Sequence, residues 1–239
     1  MSTKFKHIFF DLDRTLWDYE TNSQIALTSI FKGFIQPNVD CSFDAFCDAF
    51  FTQNDIVWSL FSANKIDKEQ LRRDRFRMTL NHLQNPDDEL AAKVEKAFVF
   101  EMSDKGALFP GAVELLNFLA PRYELHILTN GFEESQSKKL ENAGILHFFK
   151  NVITSDLAGH RKPAPEMFEF AFSYTGAKNT NSLMIGDDPF VDIAGAMNVG
   201  MEAVLYNTAK LEHPYTDTPE VKTLAQLPAL LRQLEIRRN

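Results

Sequence analysis

The sequence is short of cysteine, of basic charge and of long apolar runs, and each shortage removes a class of protein. Cys41 and Cys47 are its two cysteines in 239 residues, and no CxxC or Cys/His metal spacing accompanies them. That excludes a disulfide-stapled scaffold and a thiolate metal finger, and predicts two small buried or half-buried thiols in a reducing compartment. Lysine and arginine total 25 against 33 aspartates and glutamates, a net charge of -8. No general electrostatic footprint for nucleic acid or an anionic membrane follows from this balance, so an anionic ligand has to meet locally placed positive charge. No apolar run approaches a transmembrane span, and the run before Asp11 is too short for a signal-peptide core. Internal repeats and low-complexity linkers are lacking as well. The expectation is a cytoplasmic protein with no membrane, nucleic-acid or protein partner.

What is present is enough apolar material, 44% of residues, for one large domain or a core plus a smaller one. Apolar runs at 4–10, 124–128, 151–154, 182–185 and 202–206 read as buried strands. Helical patterns at 112–119, 133–143, 165–174 and 189–198 fall between the later runs, and 224–236 reads as a closing helix. Strands alternating with helices over short connections predict an α/β fold, a doubly wound parallel sheet covered on both faces. The interval 18–104 breaks this rhythm. Phe43, Phe46, Phe50, Val57 and Phe61 fit one helical stripe, Leu71, Phe76, Leu80 and Leu83 a second, and Leu90, Val94, Ala97 and Phe98 a third. An inserted helical domain is therefore expected there, with the core formed by 1–17 and 105–239. The basic cluster Lys68, Arg72, Arg73, Arg75 and Arg77, interleaved with Glu69 and Asp74, reads as a solvated helix face.

In an open parallel sheet, ligands collect at the carboxyl ends of the strands. Those ends carry Asp11 and Asp13, then Thr129 and Asn130, then Arg161 and Lys162, then Asp187 and Asp188. Each group alone is explained by a turn or a helix cap. In this order, each at a strand end of one sheet, they form a far more specific signal. Several carboxylates confined together need a cation, and an all-oxygen cluster suits Mg²⁺. With Lys162, the Thr129 hydroxyl and the backbone or side-chain amides of Asn130, the site can hold the outer oxygens of a phosphoryl group. Asp11 is the candidate nucleophile and Asp13 the candidate acid and base. Asp11, Asp187 and the main-chain carbonyl of Asp13 are the candidate metal ligands, with Asp188 and Asp192 placed around them.

The ordered set FDLDRT, LTNG, RKPAPEMF and GDDPFVDIAGAMNVG resembles the haloacid dehalogenase superfamily of phosphohydrolases. The resemblance implies a Rossmann-like core, an obligate Mg²⁺ and an aspartyl-phosphate intermediate. It maps the nucleophile onto Asp11, the acid/base onto Asp13, the phosphate contacts onto Thr129 or Asn130 and Lys162, and the metal carboxylate onto Asp187. The helical interval lies where one subgroup carries an α-helical cap. FDLDRTLWD, LFPGA and LTNGF are similar to the noncanonical pyrimidine nucleotidases, which implies a nucleoside monophosphate as substrate. Trp17, Asp18, Tyr19 and Trp58 are candidates for contact with its organic part, and packing at a domain junction is the competing role for Trp17. Other readings are a phosphatase for phosphoglycolate or a sugar phosphate, a non-enzymatic phosphoacceptor domain and a 2-haloacid dehalogenase. The dehalogenases lack an acid two residues after their nucleophile, so Asp13 argues against that reaction. A receiver-type phosphoacceptor has no large helical insertion after its first strand.

Overall fold

The structure, a computed structural model, describes residues 4–208 and 211–236. The chain divides into two compact units, Met1–Tyr19 with Gly106–Asn239 and Glu20–Lys105. The first is built on a six-stranded sheet of β1 (His7–Phe10), β2 (Glu124–Thr129), β3 (Asn151–Thr154), β4 (Ser182–Gly186), β5 (Glu202–Tyr206) and β6 (Glu220–Val221), ordered β3-β2-β1-β4-β5-β6. Every pairing is parallel. The expected doubly wound sheet is thus present, with β6 added at its edge. The ladder starts at His7 rather than at Lys4 as the apolar run predicted.

Winding runs outward from β1 through β2 to β3, then restarts on the other side of β1 with β4. Such a reversal opens a crevice at the carboxyl ends of the central strands. Register fixes what lies there. Phe10 pairs with Ile127 and with Ile185, and Thr129 pairs with Thr154. Asp11, Asn130, Ser155 and Asp187 are the residues that next leave the sheet, all at one end. Both parities of β1 and β4 are buried, as expected of strands covered on two faces. Phe9, Leu128, Met184 and Leu205 pack on one face into a core with Phe168 and Ile193.

In the second unit, α1 (Tyr19–Ile30) enters from the first and leads through a π-helical turn, Phe31–Ile35, to α2 (Phe43–Ser62), α3 (Lys68–His82) and α4 (Asp88–Ser103). Ser42, Asp67 and Asp87 cap the last three by accepting from Ala45, Gln70 and Leu90 backbone N–H groups. Phe50, Phe76 and Phe98, one from each predicted stripe, meet with ring centroids 5.0–5.3 Å apart. Arg75 departs from the solvated face predicted for its cluster: it is buried, pairs with Glu95 through two hydrogen bonds of 2.6 and 3.0 Å, and lies over the Phe98 ring. Both cysteines are free thiols, Cys47 buried and Cys41 half-buried.

The remaining helices belong to the sheet unit: α5 (Ala112–Leu119), α6 (Glu133–Asn142), α7 (Ser155–Ala158), α8 (Pro165–Thr175), α9 (Ala194–Asn198) and α10 (Leu227–Ile236). The predicted helix at 189–198 is split, with a π-helical turn over Pro189–Ile193 preceding α9. Among the described residues, no helix is long and apolar enough to cross a membrane.

Candidate active site

The centre of the site is a buried ammonium. Lys162 Nζ lies 2.6 Å from Asp11 Oδ1 and 2.6 Å from Asp192 Oδ1, with the lysine 1% exposed. Its position is set by its backbone: Lys162 N–H donates to Asn130 Oδ1 at 2.8 Å, and Asn130 Nδ2 donates back to the Lys162 carbonyl at 2.9 Å. Ser155 Oγ donates to the Asn130 carbonyl, so the loops after β2 and β3 and the segment before α8 are tied together. The Asn130 side chain is therefore anchored to Lys162 through its oxygen and one of its two N–H groups, and its main-chain amide adds a further donor.

Asp192 has both oxygens engaged, one by Lys162 and the other by Asp188 N–H at 3.1 Å. A Cβ on Gly186 would stand 2.2 Å from Asp192 Oδ2, so a glycine at the end of β4 is what admits this carboxylate. The π-helical turn has the same origin. Ala194 N–H reaches the Pro189 carbonyl, and the extra residue in that turn accompanies a carboxylate drawn back to Asp188 and Lys162. Asp188 itself caps the turn, accepting from Phe190 and Val191 N–H.

Carboxylate oxygens of Asp11, Asp187 and Asp192 lie within 4.8 Å of one another. Burial is the main force on all three and disfavours their charged forms. It raises Asp11 to about 7, with Asp192 and Asp13 adding to the rise and Lys162 opposing it. Asp187 is raised by burial, then by Asp11 and Asp192, against Arg14. Asp192 is raised by burial against the pull of Lys162. Burial alone would depress Lys162, yet the two carboxylates hold it above its ordinary value. One ammonium among three crowded carboxylates leaves negative charge in excess, and the donors are all oxygen. That donor set fits a hard dication such as Mg²⁺. Thr15 Oγ1 donates to Asp187 Oδ1 at 3.2 Å and orients it.

Asp13 stands apart from this trio. Gln136 Nε2 donates to its Oδ2 at 2.8 Å and Lys139 Nζ to its Oδ1 at 2.6 Å. Gln136 Nε2 also donates to Thr129 Oγ1 at 3.0 Å, and Gly131 N–H donates to the same oxygen. With both lone pairs of Thr129 Oγ1 taken, its hydroxyl hydrogen remains for a third partner. A Cβ on Gly131 would overlap the Gln136 amide at 1.7 Å, so this glycine makes room for the link. Lys139 Nζ lies 4.2 Å from the Trp17 ring centroid, a cation–π contact that holds it over a fully buried indole. Trp17 is therefore a packing residue under Asp13, bridged in sequence to Asp13 and Leu108. Trp58 belongs to the helical unit, where its ring meets Phe61 at 88°.

The structure thus gathers Asp11, Lys162 and Asp187, with Thr129 and Asp13 joined through Gln136. Sequence reasoning missed Thr15, Gln136 and Lys139. A signal existed for the last two. Phe132, Gln136, Lys139 and Leu140 fall on one helical face, and all four are buried, so a glutamine and a lysine occupy positions of an apolar stripe.

The sequence model of the haloacid dehalogenase-like hydrolases matches residues 5–200. The pyrimidine 5′-nucleotidase PynA of Streptococcus pneumoniae is 29% identical over 211 residues, 87% of this chain and 86% of its own. The pyrimidine 5′-nucleotidase YjjG of Escherichia coli is 29% identical over 231 residues, 95% of this chain and 98% of its own. Among solved structures, the HAD-hydrolase YfnB of Bacillus subtilis bound to magnesium superposes with a TM-score of 0.86 at 26% identity, covering 96% of this chain and 99% of that one.

Proposed function

The chain belongs to the haloacid dehalogenase-like hydrolase family and is a phosphoric monoester hydrolase; from that premise we propose that it removes phosphate from pyrimidine nucleoside 5′-monophosphates through an aspartyl-phosphate on Asp11, with Mg²⁺ as cofactor. The observation that carries the chemistry is the Lys162 ammonium fixed 2.6 Å from Asp11, beside two further carboxylates. The substrate class rests on PynA and YjjG, each similar to this chain over most of its length.

Lys162 has one N–H left after Asp11 and Asp192, and with the Thr129 hydroxyl and the Asn130 main-chain amide it binds the outer phosphoryl oxygens. Asp11, Asp187 and the main-chain carbonyl of Asp13 would hold Mg²⁺, which would supply positive charge that offsets the phosphoryl oxygens and favours the ionised form of Asp11. Asp11 attacks phosphorus in line. The bond from phosphorus to the ester oxygen breaks, its electron pair stays on that oxygen, and Asp13 delivers the proton. Asp13 next takes a proton from water, whose oxygen attacks the same phosphorus. The bond between Asp11 and phosphorus then breaks and inorganic phosphate leaves. Gln136 and Lys139 hold Asp13 in the position both proton transfers require. The inserted helices serve as the cap domain that selects among leaving groups.

A phosphate-release screen over pyrimidine and purine monophosphates, sugar phosphates and phosphoglycolate, with and without Mg²⁺, tests the reading. Pyrimidine monophosphates are expected to give the highest kcat/KM and chelation to abolish release; a preference for sugar phosphates would remove the substrate assignment. Hydrolysis of a phosphorothioate ester made chiral at phosphorus with oxygen isotopes, run in isotopically labelled water, tests the intermediate. Two successive in-line displacements are expected to give retention of configuration in the thiophosphate, and inversion would exclude the aspartyl-phosphate.

A further inference from the structure

At the end of the sheet opposite Asp11, β1 and β2 set three metal-ligating side chains on one face. His7 pairs in register with Glu124 and Phe9 with His126, so His7, Glu124 and His126 share that face with the Phe9 ring. His7 Nδ1 lies 3.1 Å from His126 Nε2 and 3.9 Å from Glu124 Oε2, and one ligand atom from each residue falls within 4.8 Å of the others. Phe9 stacks on His126 with ring centroids 4.7 Å apart and closes the inner side. Glu124, with its side chain 27% exposed, leaves an entry path on the outer side. Asp11 lies four residues further along the chain, about 13 Å away at the rise of a strand.

The spacing suits ligands of a single ion. Two nitrogens on one tetrahedral dication, each about 2.0–2.1 Å from it, stand about 3.3 Å apart, close to the separation of the two rings. Such an approach requires a lone pair on one of them, so the pair is not doubly protonated. As a purely structural pair it is incomplete, because His7 Nε2 is buried with no hydrogen-bond partner. Behind His126, Asn151 Nδ2 lies 3.1 Å from its Nδ1. Turned about its last bond, the Asn151 amide presents Oδ1 to accept from Nδ1–H, the support that orients a ligating imidazole. His126 then gives its Nε2 proton to water and takes one at Nδ1, with no net proton released. The competitors for Glu124 are Lys150 at 3.2 Å and Lys6 at 3.4 Å, both on exposed side chains that can turn to solvent.

We propose that His7 Nδ1, His126 Nε2 and a Glu124 carboxylate oxygen bind one transition-metal dication of the Zn²⁺ class, with water as the fourth ligand. Imidazole together with carboxylate suits Zn²⁺, Co²⁺ or Ni²⁺, whereas Mg²⁺ takes oxygen donors. The preference of this site therefore differs from that of the Asp11 cluster, with which it shares no residue, and the proposal is independent of the catalytic reading. A bound ion would tie β1 to β2 at their amino ends.

The test is titration of the untagged full chain with Co²⁺ under excess Mg²⁺, read by visible ligand-field absorption, which is stronger for four-coordinate than for six-coordinate Co²⁺. One equivalent with four-coordinate bands is expected, displaced by Zn²⁺ and retained in Asp187→Asn. His126→Phe is expected to lose it, and Glu124→Gln to weaken it at least about tenfold. Lys150→Met keeps every ligand and removes a competitor for Glu124; it is expected to tighten Co²⁺ binding about two- to fivefold. Glu124→Gln and Lys150→Met, both at the rim, decide the matter should His126→Phe fail to fold in a thermal melt. Absence of a four-coordinate equivalent in the parent would overturn the site. So would an equivalent that persists unchanged in either ligand variant, or an affinity in Lys150→Met no tighter than the parent's.

Discussion

The strands β1 and β2 bury ionisable groups in two places, and the two clusters resolve the cost of burial in opposite ways. Past their carboxyl ends, Asp11, Asp187 and Asp192 crowd around Lys162 and are driven up, Asp11 to about 7. Nearer their amino ends, His7 and His126 lie side by side, both fully buried, and are driven down by burial, His126 to about 4. Asn151 Nδ2 donates to His126 Nδ1, so His126 carries its proton on Nε2 and gives it to His7 Nδ1 at 3.1 Å. His7 Nε2 then ends the chain as a buried N–H without a partner. The imidazoles settle the conflict by staying neutral. The carboxylates, raised by the same burial, keep an ammonium among them at 2.6 Å from two of their oxygens. The first cluster is stable without an ion and the second is built around one, which marks the second as the catalytic candidate.

Breaking the charged end first gives the largest effect. Asp11→Asn is expected to lower turnover by about ten-thousand-fold or more while the melting temperature holds or rises, since one of three competing carboxylates is gone. Phosphate release and thermal melts on the same samples check it. Lys162→Met leaves Asp11 and Asp192 buried without their cation, and is expected to cost about 3 kcal/mol of stability as well as most of the turnover. That loss should shrink on acidification toward pH 5, as the uncompensated carboxyls take up protons, in chemical denaturation without divalent ions.

The neutral end answers to pH with the opposite sign. His126 titrates at 6.5 unfolded and about 4 folded, so between those values the unfolded state binds more protons and stability falls as pH falls. The full effect is about 3 kcal/mol. For Asp11, with 3.8 unfolded and about 7 folded, the folded state binds more protons and stability falls as pH rises through that window. In metal-free buffer the two slopes oppose each other. His126→Phe is expected to unmask a protein that becomes more stable on acidification from pH 7 to 4, measured as denaturation midpoint against pH; a slope unchanged from the parent would show that the imidazole is not held neutral. The smallest effect is expected for Lys139→Met. It should slow release from alkyl phosphates about tenfold and from nitrophenyl phosphate far less, because the latter's leaving group needs no proton, and cost about 1 kcal/mol of stability.

Much of this contrast was legible in the sequence. Acidic and basic residues directly after buried apolar runs marked one end of the sheet, since register carries Asp11, Asn130 and Asp187 there together. The helix at 112–119 was bounded correctly because its apolar spacing is unambiguous. β6 escaped notice because two residues, Glu220 and Val221, present no pattern. The π-helical turn at Pro189 escaped because its cause is tertiary: Asp192 is pulled toward a lysine thirty positions earlier in the chain. Arg75 was misplaced on a solvated face because helical periodicity cannot show that Glu95, on another helix, supplies its counter-charge. Gln136 and Lys139 were visible as polar residues on an apolar stripe, yet their meaning required knowing that Asp13 lay opposite.

The reciprocal pair between the Asn130 amide and the main chain of Lys162 makes two distant stretches of sequence a single cassette. Transplanting the lysine loop alone into a related scaffold would deliver the cation to an undefined place; the asparagine must travel with it. Directed evolution of this enzyme should accordingly tolerate change at either position only as a coordinated exchange, which makes the pair a natural anchor when designing chimaeras.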